Sequence, residues 1–95
     1  MYTLNYLKEA KETLTKLKKQ GQVEKRKKIK SALNKLSENP RHPGLHTHKY
    51  KTLKGYFGED VFQSYVENRT PGAFRIFWVY GSDNTIIILA ITPHP

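Results

Sequence analysis

The hydrophobic period of this chain changes once, and that change limits the possible folds more than any other feature. Leu4, Leu7, Ala10, Leu14 and Leu17 recur every three or four residues, a spacing that places them on one stripe of a helix. The stripe runs to about Lys19, and Gln20-Gly21 is the expected break. Val23, Ile29, Ala32, Leu33 and Leu36 form a second stripe. Asn39-Pro40 should end it, because a residue that precedes proline is pushed out of the helical region. So short a connection makes the two helices antiparallel neighbours, a helical hairpin over about residues 3–38.

From Thr47 onward the signals belong to strands. Residues 48–53 and 60–67 are candidates, and AFRIFWVY (73–80) is aromatic and β-branched throughout. Gly81-Ser82-Asp83-Asn84 supplies hairpin-turn chemistry. The following TIIILAI (85–91) is apolar on both faces, as a central strand is. Strands joined by turns rather than helices pair antiparallel. The expected class is therefore α+β, with an N-terminal antiparallel helix hairpin packed on a mainly antiparallel sheet of about four strands. All 95 residues form a single domain in this reading, with a loop at 39–46 and the sheet at about 47–92.

Charge narrows the function. Residues 1–42 carry 12 Lys and Arg against 4 Asp and Glu, while residues 43–95 carry 5 against 4, so 8 of the 9 units of net positive charge lie in the first half. Such a field favours nucleic acid or an acidic protein partner, and an ordinary solvated lysine-rich face is the plain alternative. It is densest in KRKKIK, where Lys25, Arg26, Lys27, Lys28 and Lys30 are candidates for RNA contact. The chain has no cysteine, which excludes disulfides and thiolate zinc sites. MYTLNYLKEAKETL is charged and lacks the apolar core of a signal peptide, and no run approaches a membrane span; a cytoplasmic protein is expected.

The stretch HPGLHTHKYKTLKG gathers three of the four histidines and three lysines into fourteen residues, more than a solvated loop needs. Imidazole suits proton transfer near neutrality, and lysines suit an anion. The spacing of His42, His46 and His48 would also allow a zinc or nickel site. However, the loop has no nearby carboxylate and its lysines oppose a divalent cation, so no metal is expected. Arg75 sits inside a strand and needs an anion there: a structural carboxylate such as Glu59, Asp60 or Glu67, or a ligand phosphate.

The order of helical hairpin, NPRHPGLHTHKYKTLKG, a strand, GAFRIFWVYG and an apolar strand ending in TPHP resembles the RelE/ParE superfamily of bacterial toxins. It is nearest in character to the messenger-RNA-cleaving RelE, YoeB, YafQ and HigB branches, and covers roughly residues 20–95. Two features depart from that pattern. Members usually open with a short strand, whereas MYTLNYL passes almost directly into helical spacing, so that strand is expected to be absent or reduced to residues 2–4. The segment from Gly55 to Gly72 is longer and more polar than a compact turn, and Tyr65 stands where some relatives carry arginine or histidine.

The resemblance implies metal-independent cleavage of RNA, commonly messenger RNA on the ribosome, with no cofactor and a neutralising antitoxin as partner. It also implies contact with ribosomal RNA, a monomeric free toxin, and an oligomeric toxin–antitoxin complex. By position in the family pattern, Arg75 holds the phosphate and His94 transfers a proton, with His46, His48 or Lys51 opposing it. Tyr65 is an alternative acid or a stacking platform, and Lys49 and Lys54 add cationic charge. Two other readings stand beside this one: a ParE-like toxin that binds DNA gyrase without nuclease activity, and an inactive RNA-binding relative.

Overall fold

A computed structural model describes residues 1–67 and 72–93 of the chain. The elements run β1 (Thr3–Tyr6), α1 (Lys8–Lys19), α2 (Val23–Glu38), a single 3-10 turn at Pro43–Leu45, β2 (His48–Lys54), β3 (Asp60–Tyr65), β4 (Phe74–Tyr80) and β5 (Thr85–Pro93). The strand order in the sheet is β1-β5-β4-β3-β2. The sheet therefore has five strands, not four, and it is mixed: β1 runs parallel to β5 while the other pairs are antiparallel.

The additional strand corrects the expected helical start. Leu4 and Leu7 fit the helical stripe, but Thr3, Leu4, Asn5 and Tyr6 also alternate, and their burial follows period two. Pairing with Thr85 to Ile88 satisfies their backbone groups and extends the sheet, and helix begins only at Lys8. The end of α2 holds the start of this strand in place. Tyr2 N–H donates to the Ser37 carbonyl at 2.7 Å, and the Ser37 hydroxyl donates to the Tyr2 carbonyl at 2.6 Å.

The core lies between the helices and one sheet face. Ala10 and Leu17 of α1 and Ile29, Ala32, Leu33 and Leu36 of α2 pack with Phe74, Ile76, Trp78, Ile86, Ile88 and Ile91. Two devices in the β4–β5 hairpin set which residues face it. At the turn, Asp83 and Asn84 both take left-handed φ, 52° and 58°, a conformation that these short polar side chains tolerate better than most. Farther along, Phe77 pairs with Ala90 but Trp78 pairs with Ile88, so Leu89 is an extra residue, a β-bulge. The bulge switches the alternation of β5. Ile86 and Ile88 before it and Ile91 after it all face the core, and Thr92 comes opposite Arg75.

Candidate active site

Alternation along β4 buries Phe74, Ile76 and Trp78 under the helices and turns Arg75 to the opposite, helix-free face. Register then brings Tyr65 of β3 directly across from Arg75, and His48 of β2 across from Gln63. Three strands thus place Arg75, Gln63, Tyr65 and His48 on one patch.

The hydrogen bonds within the patch have a single consistent direction. Arg75 Nη1 donates to Gln63 Oε1 at 2.9 Å. The other end of that amide, Gln63 Nε2, lies 2.7 Å from His48 Nε2, and His48 Nδ1 lies 2.9 Å from the His46 carbonyl. A carbonyl can only accept, so His48 Nδ1 carries the proton and Nε2 accepts from the Gln63 amide. Arg75 is thereby connected to His48 through one buried glutamine, 5% exposed. The guanidinium carbon also stands 4.8 Å from the centroid of the Tyr65 ring. Both His46 and His48 rings pack near Tyr65, at centroid distances of 6.1 and 5.6 Å.

No carboxylate neutralises Arg75 among the described residues. Each structural candidate is committed elsewhere: Asp60 bridges Lys49 and Lys54 at 3.2 and 2.7 Å, Glu67 pairs with Lys28 at 3.4 Å, and Glu59 accepts from the Phe57 amide at 2.8 Å. The Lys54 ammonium first, and then Lys49, hold the Asp60 carboxyl below the usual carboxylate range. A strand arginine with a free valence for an anion, beside a histidine and an aromatic ring, suits a phosphodiester.

The loop before β2 is shaped for these positions. His42 Nδ1 accepts from the Gly44 N–H at 2.9 Å, and a side chain at Gly44 would meet the His42 ring 3.1 Å away. His46 then turns through the left-handed region, φ 47°, where a non-glycine residue is uncommon and which carries the chain into β2. His42, His46 and His48 do not gather as a metal set; among the described residues no group of three or more His, Asp or Glu side chains can hold an ion.

Of the residues expected from sequence, Arg75, Tyr65, His46 and His48 come together. Lys51 is exposed on β2 and makes no ion pair among the described residues, while Lys49 and Lys54 are held by Asp60. His94 lies outside the described residues. On α2, Lys25 lies 5.7 Å from the centroid of the Phe74 ring, Lys27 pairs with Glu24 at 3.9 Å, and Arg26 is half-buried. Lys28 reaches the site's margin, lining a cavity of about 270 Å³ together with Tyr65 and Glu67. Gln63 was missed by sequence reasoning. The available signal was its place two residues before Tyr65 on an alternating strand, the same face as Val61 and Tyr65.

Comparison with solved structures shows the fold. The chain is similar to the YoeB dimer from Staphylococcus aureus, with TM-score 0.69 and 18% identity over 99% of this chain and 98% of that one. It is also similar to the heterotetrameric YoeB–YefM toxin–antitoxin complex from the same organism, with TM-score 0.67 and 19% identity over 100% and 99% of the two chains. No family model and no curated protein matches the sequence. Because the likeness spans nearly the whole chain, it takes in the opening strand and the five-stranded sheet described above.

Proposed function

We propose that this chain is the toxin of a type II toxin–antitoxin system, an endoribonuclease that cuts messenger RNA on the ribosome without a metal ion. One observation carries the reading: Arg75 stands on an open sheet face, unpaired with any carboxylate among the described residues and joined through Gln63 to His48. The fold shared with a protein solved in a toxin–antitoxin complex supports the presence of a cognate antitoxin. Because the other similar structure is a dimer, self-association of the free toxin replaces the expected monomer in this proposal.

The chemistry follows from the residues. RNA entering the patch displaces the Gln63 amide from His48 Nε2, which then takes the proton of a 2′-hydroxyl. The 2′-oxygen attacks the adjacent phosphorus, and Arg75 holds the phosphoryl oxygens as their charge rises. The bond to the 5′-oxygen breaks and His94 supplies the proton to that oxygen, leaving a 2′,3′-cyclic phosphate and a 5′-hydroxyl. Tyr65 stacks a flanking base, with His46 and Lys51 at the margin. The basic α2 face contacts ribosomal RNA, and an acidic antitoxin covers it in the neutralised complex.

Induced expression in a bacterial host, with primer extension on an abundant message, tests the reading. Wild type should arrest growth and cut at codon-defined positions, and Arg75→Ala and His94→Ala should abolish both effects. Arrest without cuts would instead indicate a gyrase-binding toxin, and no arrest an inactive relative.

A further inference from the structure

A second concave feature lies on the core side of the sheet, where the 40–47 segment rather than a helix faces β3 and β4. It is a cleft of about 400 Å³, near the lower end of the range for small-ligand sites. Its floor is aromatic. Phe62 stacks on Trp78 at 4.8 Å and 22°, and Tyr80 stands edge-on to both, at 5.5 and 4.9 Å. A buried chain of hydrogen bonds fixes the floor: Trp78 Nε1 donates to the Ser64 hydroxyl at 2.9 Å, and that hydroxyl lies 2.7 Å from the Thr47 hydroxyl.

The rim is cationic or proton-donating. Arg41, His42, His46 and His48 line the cleft together with Tyr80, which is 41% exposed, and among the described residues no Asp or Glu lines it. Because His42 Nδ1 accepts from the Gly44 N–H, the neutral ring carries its proton on Nε2 and presents a donor. Burial and then the Tyr2 phenol raise the Tyr80 hydroxyl above its ordinary range, and the Arg41 charge works against them, which places guanidinium and phenol within electrostatic reach. Arg41 makes no salt bridge among the described residues. Of the residues that line it, the cleavage chemistry proposed above uses His46 and His48 but none of Arg41, Phe62, Trp78 and Tyr80.

A flat aromatic floor under an acid-free basic rim is complementary to a planar ring that carries a phosphate. We propose that this cleft binds a single nucleotide unit, with its base on Phe62 and Tyr80 and its phosphate on Arg41. The unit can be a free mononucleotide or one residue of an RNA chain, since the chemistry of recognition is the same. His46 and His48 border both the cleft and the Arg75 patch, but the base and phosphate contacts proposed here, on Phe62, Tyr80 and Arg41, do not require that the patch cut RNA.

Trp78 is the only tryptophan in the chain, so its indole N–H resonance reports on the cleft. We expect the four nucleoside 5′-monophosphates to shift that resonance saturably. Arg41→Ala and Tyr80→Leu should each weaken binding by roughly ten-fold, the size of one lost charged or stacking contact. Arg75→Ala should leave binding within about two-fold, a change below the cost of any such contact. A tetranucleotide that binds much more tightly than the monophosphates identifies RNA as the source, and equal affinities identify the free nucleotide. The proposal is overturned if inorganic phosphate alone reproduces the shift, if no saturable shift occurs at millimolar nucleotide, or if Arg75→Ala weakens binding as much as Arg41→Ala. That last result would return the ligand to the opposite face. Arg41 is exposed, so a folded variant for this comparison is secure.

Discussion

Gln63 is the residue through which Arg75 and His48 meet, and it contacts neither a substrate nor a reacting atom in the proposed chemistry. It is a positioning residue: one amide end fixes the guanidinium and the other fixes the imidazole. Gln63→Leu removes both bonds and leaves two polar groups without their partner, so cleavage should fall and stability should drop by about 1–3 kcal/mol. Loss of activity alone would not separate positioning from folding, but Gln63→Glu does. The carboxylate still accepts from Arg75, yet it offers His48 Nε2 an acceptor in place of a donor and so favours the imidazolium. The rising limb of the pH–rate profile should then move to higher pH while the fold persists by circular dichroism. An unmoved profile in a folded Gln63→Glu variant would remove Gln63 from the chemistry. At Arg75, lysine retains the charge but loses the planar fork, and cleavage by Arg75→Lys should still fall by about 10²-fold or more.

At the scale of elements, both helices and β3 to β5 were legible from period and punctuation, because their patterns are long or strongly apolar, while the polar β2 gave only a weak strand signal. The opening strand was not, since four residues that satisfy both periods leave the decision to tertiary pairing. Its clue lay elsewhere in the chain. A strand apolar on both faces requires a neighbour on each side, β4 supplies one, and only a segment near the N-terminus remained for the other. The residues that gather in the candidate patch, Arg75, Tyr65, His46 and His48, were legible by type. The link through Gln63 required the register of three strands, which no local pattern encodes. The β2–β3 hairpin makes its own prediction. Asp60 joins Lys54 and Lys49 beside its turn, and these cations, Lys54 first, depress its carboxyl. A depressed folded value means a stabilising contribution that is present above the ordinary aspartate value of about 3.9 and is lost as pH falls through the lower folded value. The pair is solvent-exposed, so added salt should weaken it. Amide exchange in the hairpin should therefore rise at acid pH in wild type more than in Asp60→Asn. Equal acid sensitivity in the two proteins would show that the lysines do not organise this hairpin.

For the whole molecule, the decisive asymmetry is between layers. Most of the net charge of +9 sits on the helical half, while the Arg75 patch opens on the other face of the sheet, and Lys49 and Lys54 are already held by Asp60. In the proposed function, electrostatic capture and the cutting chemistry are thus spatially separated, and substitutions should separate them as well. Within KRKKIK, Lys27 holds only a long contact to Glu24, and Lys30 makes no ion pair among the described residues, so these two are the most available cations. If α2 holds RNA, each phosphate neutralised adds about 0.7 to the slope of log affinity against log salt for a single strand. The double variant Lys27→Ala/Lys30→Ala should lower that slope by about 1.4. Its single-turnover cleavage rate at saturating RNA should remain that of wild type, because in the proposed chemistry the reacting phosphate is held by Arg75 on the other face of the sheet. Arg75→Ala should give the converse: little change in slope beyond one phosphate contact, and no cleavage. If the salt slope is unmoved by Lys27→Ala/Lys30→Ala while antitoxin affinity falls, the basic layer serves the protein partner rather than the RNA, and the Arg75 patch must bind its substrate unaided.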